Sequence, residues 1–390
     1  MENFNSRISA YIDSIRGELA EVNRFIYENP ELGSKEYKCS RKLAEALTRH
    51  GFEVTLPVAG LETAFSASRS SEGERPHVAF MCEYDAVPEQ GHGCGHNLIA
   101  TSSLGAGLAI AQFLGEIKGK VTVLGTPSEE VAAQSGKVAM IRAGLFRDMD
   151  LAICAHPFTQ SFLGQRALSM SELRVGFAGR AAHATASPHL GINASDALQL
   201  TLTGLSFLRQ QLRPDARIHW GDIKIRGPRN NIPEASSAVI CLRAPERTYG
   251  AELVQKAVNC AKGAALMTGC QVDYEIVEGY QSFKLNPTLD RMMTEDMQST
   301  GLVMDEPPRF GLNGSSDSGN VSQVVPGTHP MFKIAEEIAI HSRDFCMAAG
   351  SEPAFETALI VAKCLAMTAV RVMADQEIRR QVWTDFEGQR

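Results

Sequence analysis

The sequence predicts an α/β protein interrupted by a second, smaller α/β unit, and three observations carry that reading. The chain has 390 residues, too many for one ordinary core at about 150 residues per domain. Before about Ser169, apolar and β-branched runs alternate with helical patterns, the grammar of a largely parallel sheet covered by helices. From there to about Tyr280 the order becomes βαββαβ, a ferredoxin-like unit that closes on itself.

The first element is a helix, because Ile8, Tyr11, Ile12, Ile15, Leu19, Val22 and Ile26 recur at spacings of three and four and form one apolar stripe up to Asn29-Pro30. A second helix over 36–50 ends at Gly51, and apolar runs at 52–56 and 78–82 read as strands. The uncharged stretch 97–115 carries Thr101, Ser102, Ser103, Gly105 and Gly107, which favours a buried core helix over a membrane span. Further runs at 121–124 and 151–154 continue the strands, with a helix over 138–143 between them. In the insert, strands at 173–177, 218–225, 237–242 and 272–277 alternate with helices over 193–212 and 251–267. The chain then returns to helix and loop, ending on the apolar pattern of 355–372.

Charge narrows the partners. The chain carries 38 Lys+Arg against 45 Asp+Glu, a formal −7 with no dense basic run, so nucleic acid is not an expected partner. Residues 169–280 hold twelve Lys+Arg and ten Asp+Glu, +2; the remaining 26 and 35 give −9, an acidic body suited to cations and a mildly basic insert. Nine cysteines, an odd number without a CxxC pair, argue against a disulfide framework. The first twenty residues contain Glu2, Asp13 and Glu18 and no unbroken apolar stretch, so a cytoplasmic protein is expected.

The residues that carry chemistry follow the strand ends. Glu83-Tyr84-Asp85-Ala86 leaves the run 78–82 and leads to Gly91-His92-Gly93-Cys94-Gly95-His96, a glycine-rich loop holding hard and soft donors where α/β folds bind ligands. Glu129 and Glu130 follow the next strand; adjacent carboxylates repel unless a cation or proton lies between them, and one as ligand beside one as general base resolves this. His156 follows the third strand. Each segment alone has an ordinary alternative: a turn with a buried cysteine, two glutamates opening an exposed helix, a surface histidine.

Taken in order, Asn29-Pro30-Glu31-Leu32-Gly33, the 83–86 run, Gly93-Cys94-Gly95-His96, Glu129-Glu130, Ala155-His156-Pro157, Gly179-Arg180-Ala181-Ala182-His183-Ala184, Asn231-Ile232-Pro233 and residues 316–322 resemble the aminoacylase and carboxypeptidase family of metallopeptidases. The match is to the branch of auxin-conjugate, hippurate and p-aminobenzoyl-glutamate hydrolases and Xaa-Arg dipeptidase-like proteins. The resemblance implies a discontinuous catalytic domain (1–168 and 281–390) with a mixed sheet flanked by helices, and an inserted lid and dimerisation domain (169–280). It implies two divalent metal ions held by Cys94, His96, Glu130, His156 and His341, with His329 as the weaker alternative to His341 and Asp85 orienting a ligand. Glu83 stands where this branch often carries a different acid. A donor set of thiolate, imidazole and carboxylate suits Zn, Mn, Co or Ni better than Mg or Ca.

In that family Glu129 would act as general base, and His183 would stabilise the oxyanion, commonly from the partner subunit of a homodimer. Asn231, by resemblance, and Arg243, by charge, are candidates for substrate binding. His50, His77 and His219 match no motif and read as surface or structural residues. The expected activity is hydrolysis of an N-acyl amino acid or dipeptide. Three alternatives remain: the same site run as an amide-forming condensation, a non-catalytic binding protein on this fold, and a cysteine-dependent redox enzyme, which lacks a paired thiol.

Overall fold

The computed structural model describes residues 2–131, 134–164, 167–307 and 315–388. It divides into two units, one of Met1–Gln165, Phe283–Arg309 and Asn320–Arg390, the other of Arg166–Ser282 and Phe310–Gly319. The segment read as the insert, 169–280, lies within the second.

The first unit opens with two helices where the apolar stripe predicts one: α1 (Glu2–Ser14) and α2 (Arg16–Glu28). The Ser14 hydroxyl donates to the Tyr11 carbonyl at 2.6 Å, and Ile15 leaves the helical region at ψ 8°. A serine that bonds back to its own turn competes with the helical ladder, and Gly17 adds little to hold it. The stripe still serves one core, since Ile8, Ile12, Leu19, Val22 and Ile26 are all fully buried.

Next come α3 (Tyr37–Arg49), β1 (Glu53–Thr55), β2 (Phe65–Ser70), β3 (His77–Cys82), α4 (His96–Ile117), β4 (Lys120–Gly125), α5 (Gly136–Arg142), β5 (Leu151–Ile153) and β6 (His156–Phe158). The sheet runs β1-β2-β4-β3-β5, with β4, β3 and β5 parallel and β1 and β2 antiparallel. It is therefore mixed, as the family resemblance implies, where the strand and helix alternation alone suggests a largely parallel sheet. The difference lies in β2, Phe-Ser-Ala-Ser-Arg-Ser, which serine makes a poor strand by propensity; burial of Phe65 and Ala67 on one face holds it. The β3/β4 register sets Cys82 opposite Gly125, so the loops that begin at Glu83 and Thr126 leave the sheet side by side.

The second unit consists of β7 (Ser169–Ala178), α6 (Ala194–Leu208), β8 (Arg217–Arg226), β9 (Ala235–Ala244), α7 (Arg247–Thr268) and β10 (Gln271–Glu278). Its antiparallel sheet has the order β10-β7-β9-β8, the ferredoxin-like arrangement that the element order predicts. Alternate residues of the central strands, among them Leu173, Val175, Ile240 and Leu242, pack with Leu198, Leu205, Leu253 and Val258 of the two helices. Gly269 closes α7 in the left-handed conformation, φ 76°.

The chain finishes with α8 (Pro287–Ser299), α9 (Ser318–Ser322), β11 (Met331–Lys333), α10 (Arg343–Ala349), α11 (Glu352–Ala374) and α12 (Gln376–Glu387). Strand β11 pairs in parallel with β6, setting Met331 opposite His156. Among the described residues α4 and α11 are long and apolar enough to cross a membrane, but these windows are 89% and 72% buried inside the fold, where the helices pack against each other. All nine cysteines are free.

Candidate metal centre

The 83–86 loop, the 91–96 loop, the 126–130 loop, His156 and the loop before α10 bring their donors together in the first unit. Among the described residues three groups form, each with ligand atoms within 4.8 Å of one another: Cys94 with His96 and His156, Cys94 with Glu130 and His341, and Glu83 with His96 and Glu129. The sulfur of Cys94 belongs to two of them. All five residues expected as metal ligands are therefore gathered, and Glu83 joins them. His329 belongs to none of the groups, although its ring lies 5.9 Å from that of His156.

Local backbone explains the placement. Gly95 precedes α4 at φ 79°, and a Cβ there would meet Pro157 Cγ at 2.5 Å, so glycine is required both for the turn and for the approach to the His156 loop. Cys94 Sγ thereby comes within 3.3 Å of His156 Nε2. His341 has φ 59° and donates its backbone N–H to the Gly93 carbonyl at 2.9 Å, which brings its Nε2 within 3.2 Å of Glu130 Oε1.

The orientation of the rings follows from their outer hydrogen bonds. His96 Nδ1 lies 3.0 Å from Asp85 Oδ1, and the other Asp85 oxygen accepts the Glu130 backbone N–H at 2.9 Å. One carboxylate thus holds two donors, leaving His96 Nε2 to face inward. His156 Nδ1 donates to the Pro157 carbonyl at 2.8 Å, which presents its Nε2 as a lone pair in the same way.

Charge and burial show what the arrangement fits. Glu83 Oε2 and His96 Nε2 are buried and make no hydrogen bond, and such atoms are costly unless a cation or proton meets them; Glu130 Oε1 is buried with only the His341 ring beside it. Burial and Glu130 push the Cys94 thiol well above its usual range. Burial disfavours the His96 imidazolium, yet Cys94 and Asp85 raise its pKa well above normal. Against burial, His341 and His96 hold Glu130 down to about 2. A concentration of acid, thiol and imidazole that must borrow protons from itself is matched by divalent cations, which accept all three donor types.

Sequence reasoning missed Lys137. Fully buried at the start of α5, it donates from Nζ to Glu83 Oε1 at 2.7 Å, while Glu83 Oε2 lies 3.5 Å from His96 Nε2. Against burial, Lys137, His96 and His156 hold Glu83 down to about 2. The available signal was spacing: Lys137 and Met140 share the buried side of a short helix, a place where a lysine needs a partner.

The other candidates lie in the second unit. His183 is exposed and its Nδ1 accepts backbone N–H groups from Thr185 and Ala186 at 3.2 and 3.1 Å, so the ring proton resides on Nε2. His183 pairs with Asn231 through an antiparallel bridge. Half-buried Arg243 donates to Ser315 Oγ at 2.8 Å. His77 is a buried structural residue, with its Nε2 2.7 Å from Thr122 Oγ1.

Such a centre on this fold defines a metal-dependent hydrolase, and similarity to known proteins agrees. The profile of Peptidase family M20/M25/M40 matches residues 79–366. The Xaa-Arg dipeptidases of Mus musculus and Homo sapiens are 38% and 35% identical, each alignment covering 99% of this chain and 93% of the relative. A p-aminobenzoyl-glutamate hydrolase polypeptide of Escherichia coli K12 is 34% identical over 77% of this chain and 66% of its own length. In solved structures the fold recurs in a Bacillus subtilis protein described as a dinuclear metal binding peptidase from the M20 family, with TM-score 0.72 and 18% identity over 93% of this chain and 99% of that one. The chain belongs to peptidase family M20/M25/M40.

Proposed function

We propose that this protein hydrolyses the amide bond of a dipeptide or N-acyl amino acid, with Glu129 as general base and two divalent ions, Zn, Mn or Co, held by Cys94, His96, Glu130, His156 and His341. The observation that carries the reading is the sharing of Cys94 between two donor groups, one completed by His96 and His156 and the other by Glu130 and His341. When bound, two ions supply a Lewis acid for the substrate carbonyl and lower the pKa of water towards neutrality.

The chain's own residues do the rest. Buried Glu129, with Oε2 3.9 Å from His96 Nε2, takes a proton from the attacking water and delivers it to the departing nitrogen, so that water and amide become carboxylic acid and amine. Asp85 keeps His96 and Glu130 in register, and Lys137 neutralises Glu83. His183, with its proton on Nε2, donates a hydrogen bond to the carbonyl oxygen as negative charge develops. Asn231, bridged to His183, and Arg243 bind the amide and carboxylate of the substrate.

The proposal includes a homodimer formed through the second unit. Ile223 and Ile225 on edge strand β8, with Phe207, Leu266 and Met267 on the helices, are exposed apolar surface of the kind a second copy covers. Mixing inactive His183→Ala and Glu129→Gln subunits is expected to restore activity in hybrids; verified hybrids that stay inactive would remove the exchange of His183 between subunits.

Similarity to the Xaa-Arg dipeptidases favours dipeptides with a basic C-terminal residue within this class. The test is a metal-reconstituted assay against basic dipeptides, aryl-glutamates and N-acyl amino acids. Release of free amine from at least one class, abolished in Glu129→Gln, is expected; binding without turnover across the panel would favour the non-catalytic alternative.

A further inference from the structure

The segment Asn29-Pro30-Glu31-Leu32-Gly33-Ser34-Lys35-Glu36 supplies none of the donors described above, yet it touches two of the loops that do. On one side Leu32 forms a parallel bridge with Ala86, and the Glu31 carbonyl accepts the Ala86 N–H at 2.8 Å. The Glu31 carboxylate also accepts the N–H groups of Lys38 and Cys39 at 2.8 and 3.0 Å, fixing the segment to the start of α3. On the other side the segment meets Ser128, the residue before Glu129.

Ser128 is a buried non-glycine residue at φ 62°, a left-handed conformation that costs free energy unless its surroundings impose it. The surroundings are Glu36, Ser34 and Gly33. Glu36 Oε1 accepts the Ser128 N–H at 2.8 Å, and its other oxygen accepts the Thr63 hydroxyl at 2.8 Å. Ser34 Oγ lies 3.4 Å from Ser128 Oγ. A Cβ on Gly33 would meet Ser128 Oγ at 2.7 Å and Ser128 Cα at 3.2 Å, so glycine there gives the strained residue its space.

Glu36 is itself fully buried, and burial together with Asp85 pushes its carboxyl up to about 7. We propose that Glu36 is a positioning residue, which clamps Ser128 in its left-handed conformation and so sets the direction in which Glu129 leaves the end of β4. Without the clamp Ser128 relaxes towards negative φ, the 128–129 peptide turns, and the Glu129 carboxylate leaves its productive position. Misplacement of a reacting group by about 1 Å costs up to about 100-fold in rate. This inference rests on Glu129 being the general base.

The experiment compares Glu36→Gln, Glu36→Ala, Glu36→Ala/Ser128→Gly, Gly33→Ala and Glu129→Gln after metal reconstitution, with kcat, KM, bound metal and melting temperature measured on the same samples. Glu36→Gln keeps an acceptor for the Ser128 N–H, so kcat should stay within about threefold of wild type. Glu36→Ala should lose about 10- to 100-fold in kcat at little-changed KM and unchanged metal content. Glycine at 128 adopts positive φ without strain, so the double variant should regain most of that loss while its melting temperature stays low. A merely structural role would lower the melting temperature with no such recovery in kcat. Gly33→Ala, which displaces Ser128 without touching Glu36, should also lower kcat and decides the question if Glu36→Ala does not fold. Wild-type kcat in Glu36→Ala or in Gly33→Ala, or a loss in Glu36→Ala that Ser128→Gly does not relieve, overturns the clamp. Near-normal turnover in Glu129→Gln instead overturns the base assignment.

Discussion

Replacing Lys137 with methionine would leave Glu83 buried without its counter-charge, and the size of the effect follows from the geometry. The pair is 2.7 Å apart with both side chains at most 1% exposed. At an effective dielectric of about 20, that separation corresponds to ~6 kcal/mol of gross Coulomb attraction. Desolvation offsets part of it, and removing one partner of a buried pair costs about 3–5 kcal/mol. His96 and His156 also lower the Glu83 pKa and can supply partial compensation, which favours the lower end, about 3 kcal/mol.

The assay is urea unfolding of metal-free protein at neutral pH. The chain has two tryptophans, and Trp220 lies in the second unit while Trp383 lies on α12 of the first. A Trp220→Phe background therefore lets Trp383 report the first unit alone. Lys137→Met should lower its stability by about 3 kcal/mol, and Glu83→Gln/Lys137→Met, which removes both charges, should restore it to within about 1 kcal/mol. A single variant within about 0.5 kcal/mol of wild type would refute the reasoning, because a buried, unpaired carboxylate cannot be that cheap.

Burial and Lys120 push His77 down to about 4. Its folded pKa is thus below its unfolded one, so the stability it contributes is complete above about pH 6.5 and is lost as pH falls through about 4, by ~3 kcal/mol in all. Urea midpoints should show that loss in wild type and a flatter dependence in His77→Gln; parallel curves would contradict it. Asp85→Asn should weaken metal binding about 10- to 100-fold in a direct titration, because the amide cannot accept from both His96 and Glu130 as the carboxylate does. Gly95→Ala adds a Cβ 2.5 Å from Pro157 Cγ at a positive φ, and a fall in melting temperature with loss of bound metal is expected; unchanged metal binding would show that the loop can move.

Much of this was legible in sequence for a physical reason. Donors that follow strand ends are marked by the strands themselves: Cys94, His96, Glu130 and His156 stand after apolar runs or beside glycines, while their reading as one set came from the family resemblance. The helices and the two central strands of the insert were legible too, because Leu173, Val175, Ile240, Leu242, Leu198 and Leu253 belong to one-sided apolar patterns. What stayed hidden depends on partners distant in the chain. Strand β2 is held by packing of Phe65 and Ala67 against poor local propensity. Ser14 breaks the first helix through a bond invisible in an apolar stripe. Lys137 and Glu36 look like ordinary polar residues at helix starts, and only tertiary structure places one on Glu83 and the other on Ser128.

The central claim is that metal held by this constellation is required for amide hydrolysis. Its most direct test is turnover of one substrate by a single preparation, measured as purified, after exhaustive chelation with bound metal counted, and after restoring Mn, Zn or Co. The account predicts activity that disappears with the metal and returns as the second ion per chain is restored. Full turnover in protein verified to contain no metal would contradict it.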